Sequence, residues 1–86
     1  MSTIRKRAWR KHYPKDLRVY SRTFLRRDGK LFEVTLCKRR KTEIVELWTP
    51  VQNGIWLRLV RMPVPQGLDS HDRRFAQRFM DCCDSH

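Results

Sequence analysis

Histidine, tyrosine and arginine are the residues of this sequence that could cleave a phosphodiester, because small basic ribonucleases use them as acid, base and phosphate clamp. The candidates are His12, His71, His86, Tyr13 and Tyr20, together with the three cysteines. His12 lies in a loosely held basic segment, His86 is the final residue, and His71 falls in the first turn of a predicted helix, where a charged imidazole is disfavoured. The sequence contains no GxGxxG, GxxxxGK[ST], HExxH or GxSxG motif. We therefore expect no catalytic activity, and a toxin-type ribonuclease is the less favoured alternative.

A zinc site near the C-terminus is the second chemical possibility. Cys82, Cys83 and His86 are close in sequence, and Cys37 or His71 could complete four ligands. However, adjacent residues of a helix point about 100° apart, and no CxxC pair is present. Three cysteines, two of them adjacent, also make a poor disulfide framework, which indicates a reducing, cytoplasmic compartment. We expect no metal and no cofactor.

The charge of the chain is its most one-sided property. Among 86 residues, 20 are Lys or Arg and 9 are Asp or Glu, which gives a formal charge of +11. Such an excess destabilises a small fold by self-repulsion, so an anionic partner is expected. Nucleic acid is the first choice, an acidic protein surface the second and an anionic membrane surface the third. No apolar run of about 18 residues is present, which excludes a transmembrane helix, and the basic N-terminus lacks the apolar segment of a secretory signal.

Basic and aromatic residues alternate in the stretches that we expect to contact this partner. Arginine binds phosphate through two parallel hydrogen bonds, and aromatic rings stack on unpaired bases. The candidate binding residues are Arg5, Lys6, Arg7, Trp9, Arg10 and Lys11 in an N-terminal arm, Arg18, Tyr20, Arg22, Phe24 and Arg26 in a strand, and Lys38, Arg39, Arg40 and Lys41 in a connection. The arm could form a short helix capped by Ser2 or Thr3 and ending before Pro14, but its apolar stripe is too small to anchor it. We expect the arm to be a binding element rather than part of the fold.

Two hairpins position the strand residues. Asp28-Gly29 and Asn53-Gly54 are dipeptides that favour the type I′ turn. A turn at Asp28-Gly29 pairs Arg27 with Lys30, Leu25 with Phe32, Thr23 with Val34 and Ser21 with Leu36. A turn at Asn53-Gly54 pairs Leu47 with Val60, Val45 with Met62, Glu46 with Arg61 and Trp48 with Leu59. Because Pro50 lies close to the second turn, a longer loop over 49–54 is the alternative.

Alternation along the first hairpin predicts two different faces. Val19, Thr23 and Leu25 belong to an apolar face that includes their partners. The opposite face carries the strand arginines and aromatics, with Glu33, Thr35 and Cys37 across from them. We expect Arg18, Arg22 and Arg26 to be exposed and to lie together on one face, since a slip of one residue would bury them. Phe24 has a second interpretation, in which it packs under Trp9 or Tyr13 of the arm.

A C-terminal helix over 68–83, capped by Asp69 or Ser70, completes the fold. Helical spacing places Phe75, Ala76, Phe79, Met80 and Cys83 on one side and Arg73, Arg74, Gln77 and Arg78 on the other. The predicted class is α+β, a four-stranded antiparallel β-meander with one C-terminal helix packed on a face. The basic arm covers residues 1–16 and a single small domain covers residues 17–86.

The sequence thus predicts a small basic nucleic-acid-binding protein that binds DNA or RNA. No RNP motif, zinc finger or homeodomain pattern is present. The alternative is an accessory or inhibitor protein of the phage type that docks on a larger nucleic-acid-processing enzyme. In that case Trp9, Trp48 and Trp56 are candidate anchors, since tryptophan is enriched at the energetic centres of interfaces.

Overall fold

Five strands and one helix make up the computed structural model, which describes residues 3–6 and 15–84. The elements are β1 (Thr3–Lys6), β2 (Leu17–Arg27), β3 (Lys30–Arg39), β4 (Thr42–Gln52), β5 (Ile55–Pro63) and α1 (Phe75–Asp84). The strand order across the sheet is β1-β5-β4-β3-β2, and each neighbouring pair is antiparallel. The predicted α+β meander of four strands with a C-terminal helix is confirmed by β2 to β5 and α1.

The N-terminal segment adds a strand that the sequence analysis did not foresee. Thr3 pairs with Arg58 and Lys6 pairs with Ile55, so β1 lies along the outer edge of β5. The possible short helix is therefore wrong for Thr3–Lys6, and so is the expectation that these four residues are not part of the fold. An open strand edge offers unpaired N–H and C=O groups that an extended segment can satisfy, whereas a helix here would bury little apolar surface. Residues 7–14 of the predicted arm lie outside the described residues.

Both predicted hairpin turns are present. Asp28 and Gly29 have φ angles of 54° and 76°, as a type I′ turn requires. The partners predicted across this turn, from Arg27 with Lys30 to Ser21 with Leu36, are all confirmed. At the second turn Gln52 pairs with Ile55, and Gly54 has a φ of 75°. The longer loop over 49–54 is wrong, because β4 continues through Pro50 to Gln52.

The connection between β3 and β4 is shorter than predicted. Lys38 and Arg39 belong to β3, where they pair with Glu43 and Thr42, so only residues 40 and 41 form the turn. Arg40 adopts a left-handed conformation with a φ of 56°. Polarity alone suggested a loop, but strand pairing continues into a polar segment when its side chains can remain in water.

Helix α1 packs on the sheet face that carries Val34, Leu36, Val45 and Leu47, which we call the helix face. The predicted apolar residues Phe75, Ala76, Phe79 and Met80 are buried in this core, Cys83 is half-buried, and the two phenylalanine rings stack with centroids 6.1 Å apart. Arg27 of β2 pairs with Asp84 and, at 2.7 Å, with Asp81. These contacts fix α1 over the β2 and β3 side of the sheet.

The helix starts later than predicted, at Phe75 rather than near residue 68. Asp72, not Asp69 or Ser70, caps it, because its Oδ1 accepts the Arg74 N–H at 2.9 Å. Asp69 instead accepts the His71 N–H at 2.9 Å in a separate turn. Short carboxylate side chains favour such local turns over helix, which explains why the helical pattern overran its true start.

Candidate nucleic-acid interface

Seven basic side chains of β2, the end of β3 and the following turn are exposed to solvent. We call them the basic strip: Arg18, Arg22, Arg26, Lys38, Arg39, Arg40 and Lys41. Strand β2 lies at the edge of the sheet, and its first residues are paired with the last residues of β3. The strip therefore runs along the edge strand and continues onto the β3–β4 turn. The prediction that Arg18, Arg22 and Arg26 are exposed is confirmed.

The arginines do not share one face, and this part of the prediction is wrong. Val19 pairs with Cys37 and Ser21 pairs with Leu36, so Tyr20 is an extra residue that forms a β-bulge. Because one extra residue reverses the alternation, Arg18 opposite Lys38 lies on the helix face, as does Tyr20, which bonds Glu43 there. Val19, opposite Cys37, lies on the other face and not on the predicted apolar one. Arg22 and Arg26, beyond the bulge, lie on the opposite face. The strip thus presents charge on both sides of the edge strand.

The opposite face carries Trp48 and Trp56 and is called the tryptophan face. Phe24, whose exposed fraction is 49%, lies on this face between Arg22 and Arg26, and its ring centroid is 6.2 Å from that of Trp56. Three strand spacings, about 14 Å, would separate β2 and β5 in a flat sheet. The close approach of the two rings shows that the sheet curves inward on this side. Phe24 is thus held by Trp56, while any packing under Trp9 or Tyr13 lies outside the described residues.

A charged network is buried beneath this face. Glu46 has no exposed surface, and its Oε2 atom lies 3.1 Å from Arg58 Nη1 and 3.7 Å from Arg61 Nε. Its Oε1 atom accepts hydrogen bonds from Trp48 Nε1 at 3.1 Å and from the Cys37 thiol at 3.9 Å. The Arg58 guanidinium also lies 5.8 Å from the centre of the Trp48 ring. These contacts compensate the cost of burying a carboxylate.

Only one pair of this network was predicted from the sequence. The pairing of Glu46 with Arg61 is confirmed, but Trp48 pairs with Arg58 and not with Leu59. Leu59 is an extra residue in β5, and this bulge places two arginines three positions apart on the same face. The feature of the sequence that could have indicated this network is a glutamate and a tryptophan in β4 opposite a strand that contains two arginines.

Glu33, Thr35 and Cys37 of β3 are also buried, although the sequence analysis placed them on a solvent-facing side. Thr35 Oγ1 donates a hydrogen bond of 2.6 Å to Glu33 Oε2. Alternation correctly assigned these residues to the face of Arg22 and Phe24. What it missed is that the face curves and carries two tryptophans, so polar residues at its centre are shielded from water.

A cleft of about 300 Å³ lies on the helix face at the Arg18 end of the strip, and we call it the Glu43 cleft. It is lined by Arg18, Tyr20, Lys38, Glu43 and His71. Glu43 Oε2 accepts hydrogen bonds from the Tyr20 hydroxyl and, at 2.5 Å, from the Ser70 hydroxyl. These bonds, with the nearby His71 and Lys38, lower the pKa of Glu43. Burial and the bond to Glu43 raise the pKa of Tyr20.

The turn at residues 40 and 41 forms the end of the strip. Arg39 Nε lies 2.7 Å from Asp16 Oδ2, and this hydrogen bond lowers the pKa of Asp16. A second cleft, of about 350 Å³, is lined by Arg39, Arg40, Thr42 and Ile44. Two arginines at an open cleft can contact successive phosphate groups, since each guanidinium presents several donors in a fixed plane.

The predicted arm residues divide between described and undescribed parts of the chain. Arg5 and Lys6 belong to β1, opposite Trp56 and Ile55 in the register. Arg7, Trp9, Arg10 and Lys11 lie outside the described residues. Trp48 and Trp56, two of the three candidate anchors of the alternative function, are both buried and do not present their rings at the surface.

The catalytic and metal candidates are only partly brought together. His71 and Tyr20 both line the Glu43 cleft, whereas His12, Tyr13 and His86 lie outside the described residues. Within residues 3–6 and 15–84, no group of three or more His, Cys, Asp or Glu side chains is placed to hold a metal ion. Cys37 is buried on the tryptophan face, away from the cysteines of α1.

Comparisons of the chain with protein-family models, with curated proteins and with solved structures found no match. In the described part of the chain, no helix is long and apolar enough to cross a membrane.

Proposed function

We propose that this protein is a small basic nucleic-acid-binding protein without catalytic activity, and that it binds DNA or RNA through the basic strip. The observation that carries the proposal is the exposure of seven cationic side chains along the edge strand β2, the end of β3 and the β3–β4 turn. Phosphate contacts from such residues supply most of the affinity of non-specific nucleic-acid binding. The basic residues of the arm are proposed to add to the same interaction.

The distribution of acidic residues supports this assignment. The protein has nine of them. Glu33 and Glu46 are buried, Glu43 is half-buried, and Asp69, Asp72, Asp81 and Asp84 lie in or just before α1. Asp16 and Asp28 are the remaining two, at opposite ends of β2. Six of the nine are thus buried or lie near α1, whereas Asp16, Asp28 and Glu43 lie beside the strip. Seven cations against these three carboxylates leave the strip with an excess of positive charge, which attracts a polyanion.

Exposed aromatic rings beside the arginines favour a single strand as the ligand. The exposed fractions are 43% for Tyr20, which lies with Arg18 on the helix face, and 49% for Phe24, which lies between Arg22 and Arg26 on the tryptophan face. Aromatic rings next to cations hold unpaired bases by stacking, while the cations follow the backbone. A duplex would leave these rings without a partner, because its bases are already stacked.

Binding of a fluorescent single-stranded DNA of about 12 nucleotides, a length within the range of known single-strand sites, tests the proposal. The dissociation constant is measured by anisotropy from about 50 to about 200 mM salt. Replacing both Arg22 and Arg26 by alanine removes two phosphate contacts, so the log–log salt slope should fall by about 1.4.

The matched control replaces Arg73 and Arg74 by alanine. These arginines are exposed just before α1, so the control removes the same charge from a different surface. It should leave the slope within about 0.3 of the wild-type value, less than half of one phosphate contact. An equal loss of slope in both variants, or no binding by the wild type at low salt, would overturn the proposed interface.

The absence of catalysis is tested with RNA of the same length. The RNA should remain intact on a denaturing gel after incubation with the protein. Cleavage that is lost in His71→Ala or Glu43→Gln would instead support the ribonuclease alternative, since both residues line the Glu43 cleft. We also propose a cytoplasmic location, because Cys37, Cys82 and Cys83 are not joined by disulfides.

A second candidate function is docking on a larger nucleic-acid-processing protein. One observation favours it: Leu59 and Met62 of β5 are exposed, and Leu59 borders a groove that Phe32, Leu47 and Met80 also line. Exposed apolar residues beside a groove are common at protein interfaces. In that case nucleic-acid affinity should be weak, and Leu59→Ser should disrupt a protein complex that survives physiological salt.

A further inference from the structure

The Glu43 cleft combines groups that a simple anion site would not contain. Arg18 and Lys38 supply positive charge, Tyr20 supplies an exposed aromatic ring, and Glu43 supplies a carboxylate within the same cleft. Its volume of about 300 Å³ is at the lower end of the range for small-molecule sites. A bare phosphate would be attracted by the cations but repelled by the carboxylate, so the ligand must also carry hydrogen-bond donors.

The carboxylate is held in a fixed position. Both hydroxyl groups that bind Glu43, those of Tyr20 and Ser70, donate to the same oxygen, Oε2. Among the residues that the structure describes, none makes a hydrogen bond to the other oxygen, Oε1. A half-buried carboxylate oxygen without a partner among the described residues is a strong acceptor for a donor group of a ligand, because hydrogen bonds to charged groups are the stronger class.

A nucleotide has the complementary set of groups: a flat ring, an edge with N–H donors and a phosphate. We infer that the Glu43 cleft holds one nucleotide of the bound strand, with Glu43 accepting from the amino group of the base, Tyr20 contacting the ring and Arg18 and Lys38 contacting a phosphate. This inference rests on the proposed function and deepens it. Binding by the basic strip does not depend on base sequence, whereas the Glu43 cleft would add a preference for one base at one position.

The preference follows from the chemistry of the base edge. Cytosine presents an exocyclic amino group, which carboxylate side chains accept as a specific contact. Uracil presents a single N–H donor that is flanked by two carbonyl oxygens. These oxygens and the carboxylate repel each other. The two pyrimidines are nearly equal in size, so stacking on Tyr20 distinguishes them little. The cleft should therefore favour cytosine over uracil.

Anisotropy titrations with oligo-deoxycytidine and oligo-deoxyuridine of about 12 nucleotides measure this preference. The wild-type protein should bind the cytosine strand about tenfold more tightly, a factor within the range of one specific base contact. In Glu43→Gln the ratio should fall to about one, because an amide can donate to uracil as readily as it accepts from cytosine. Circular dichroism establishes that this variant is folded.

Asp28→Asn is the matched control, since it removes one negative charge from the exposed turn at the other end of β2. It should strengthen binding to both strands equally and keep the wild-type ratio. If Glu43→Gln is unfolded, Tyr20→Phe replaces it; this variant keeps the ring, loses one bond to Glu43 and should lower the ratio.

The outcomes of these titrations test the nucleotide site and the basic strip separately. A wild-type ratio near one, or a ratio that persists in Glu43→Gln, would overturn the nucleotide site and leave the basic strip standing. Failure of the wild-type protein to bind either strand at low salt would overturn both the strip and the site. If the preference for the cytosine strand is lost in Glu43→Gln and kept in Asp28→Asn, both the nucleotide site and the basic strip are supported.

Discussion

The helix face and the tryptophan face of the sheet both contain buried residues, but their chemistry differs. On the helix face, aliphatic side chains of β3 and β4 contact Phe75, Phe79 and Met80 of α1. On the tryptophan face, Glu33 and Glu46 are buried beside aromatic rings. The first face is held mainly by apolar contact, with the ion pairs of Arg27 to Asp81 and Asp84 at its border. The second depends on hydrogen bonds and ion pairs that must all be present, because an unpaired buried charge is costly.

This difference explains how the two faces contribute to the proposed function. The apolar contacts of the helix face have no preferred direction and hold α1 on the sheet. The polar network of the tryptophan face instead fixes the orientation of particular side chains. Arg58 and Arg61 point at Glu46, and Phe24 of the edge strand rests on Trp56. We infer that the tryptophan face holds β2 in the curved arrangement that presents Arg22 and Arg26 to a ligand.

The largest expected effect comes from breaking the helix face. Phe79 is 1% exposed, so Phe79→Ala should lower the free energy of unfolding by about 3 to 5 kcal/mol, as cavity-forming truncations of phenylalanine do. Urea denaturation measures this change. Gln77→Ala, on the exposed side of α1, should change it by no more than about 0.5 kcal/mol. Similar values for the two variants would show that α1 is not packed as described.

A smaller effect is expected from the tryptophan face. Glu46→Gln keeps the shape and the acceptor for Trp48 but removes the charge that Arg58 and Arg61 contact. The loss should be about 2 kcal/mol, the scale of a hydrogen bond to a charged group. Asp16→Asn breaks an exposed ion pair with Arg39 and should leave the free energy of unfolding nearly unchanged. Equal stability of Glu46→Gln and the wild type would mean that the network adds nothing to the fold.

The smallest expected effect is on the pH dependence of the free energy of unfolding. The pKa of Glu43 in the folded protein is lowered from its ordinary value of 4.5, so its contribution to stability is present above that value. The contribution is lost as the pH falls below about 4.5 towards the folded pKa. The wild type should therefore lose more stability on acidification than Glu43→Gln, with Tyr20→Phe between them. Parallel pH profiles from urea denaturation would contradict the role of the two hydroxyl groups.

The features that short segments determine, namely the hairpin turns and the buried side of α1, were predicted from the sequence. Asp28-Gly29 and Asn53-Gly54 set the two hairpin turns and therefore the register on either side of them. Helical spacing identified which side of α1 is buried. These features follow from backbone preferences and from periodicity, which are properties of short segments.

The errors arose where a bulge or the shape of the sheet intervened. The extra residue Tyr20 moved Arg18 to the helix face, and the extra residue Leu59 moved Arg58 opposite Trp48. Alternation contains no signal for an inserted residue, because the strand pattern on each side of a bulge is regular. The burial of Glu33 and Glu46 depends on curvature, which only the assembled sheet defines. The Glu43 cleft was missed because Ser70 and His71 come from a segment distant in sequence.

The basic strip is tested most directly by an NMR titration of ¹⁵N-labelled protein with single-stranded DNA at low salt. Amide shift changes should be concentrated in β2, at the end of β3 and at Arg40 and Lys41, while the exposed side of α1 stays unchanged. Shift changes confined to α1 or to Leu59 and Met62 would contradict the strip as the binding surface. The absence of any shift change would contradict nucleic-acid binding itself.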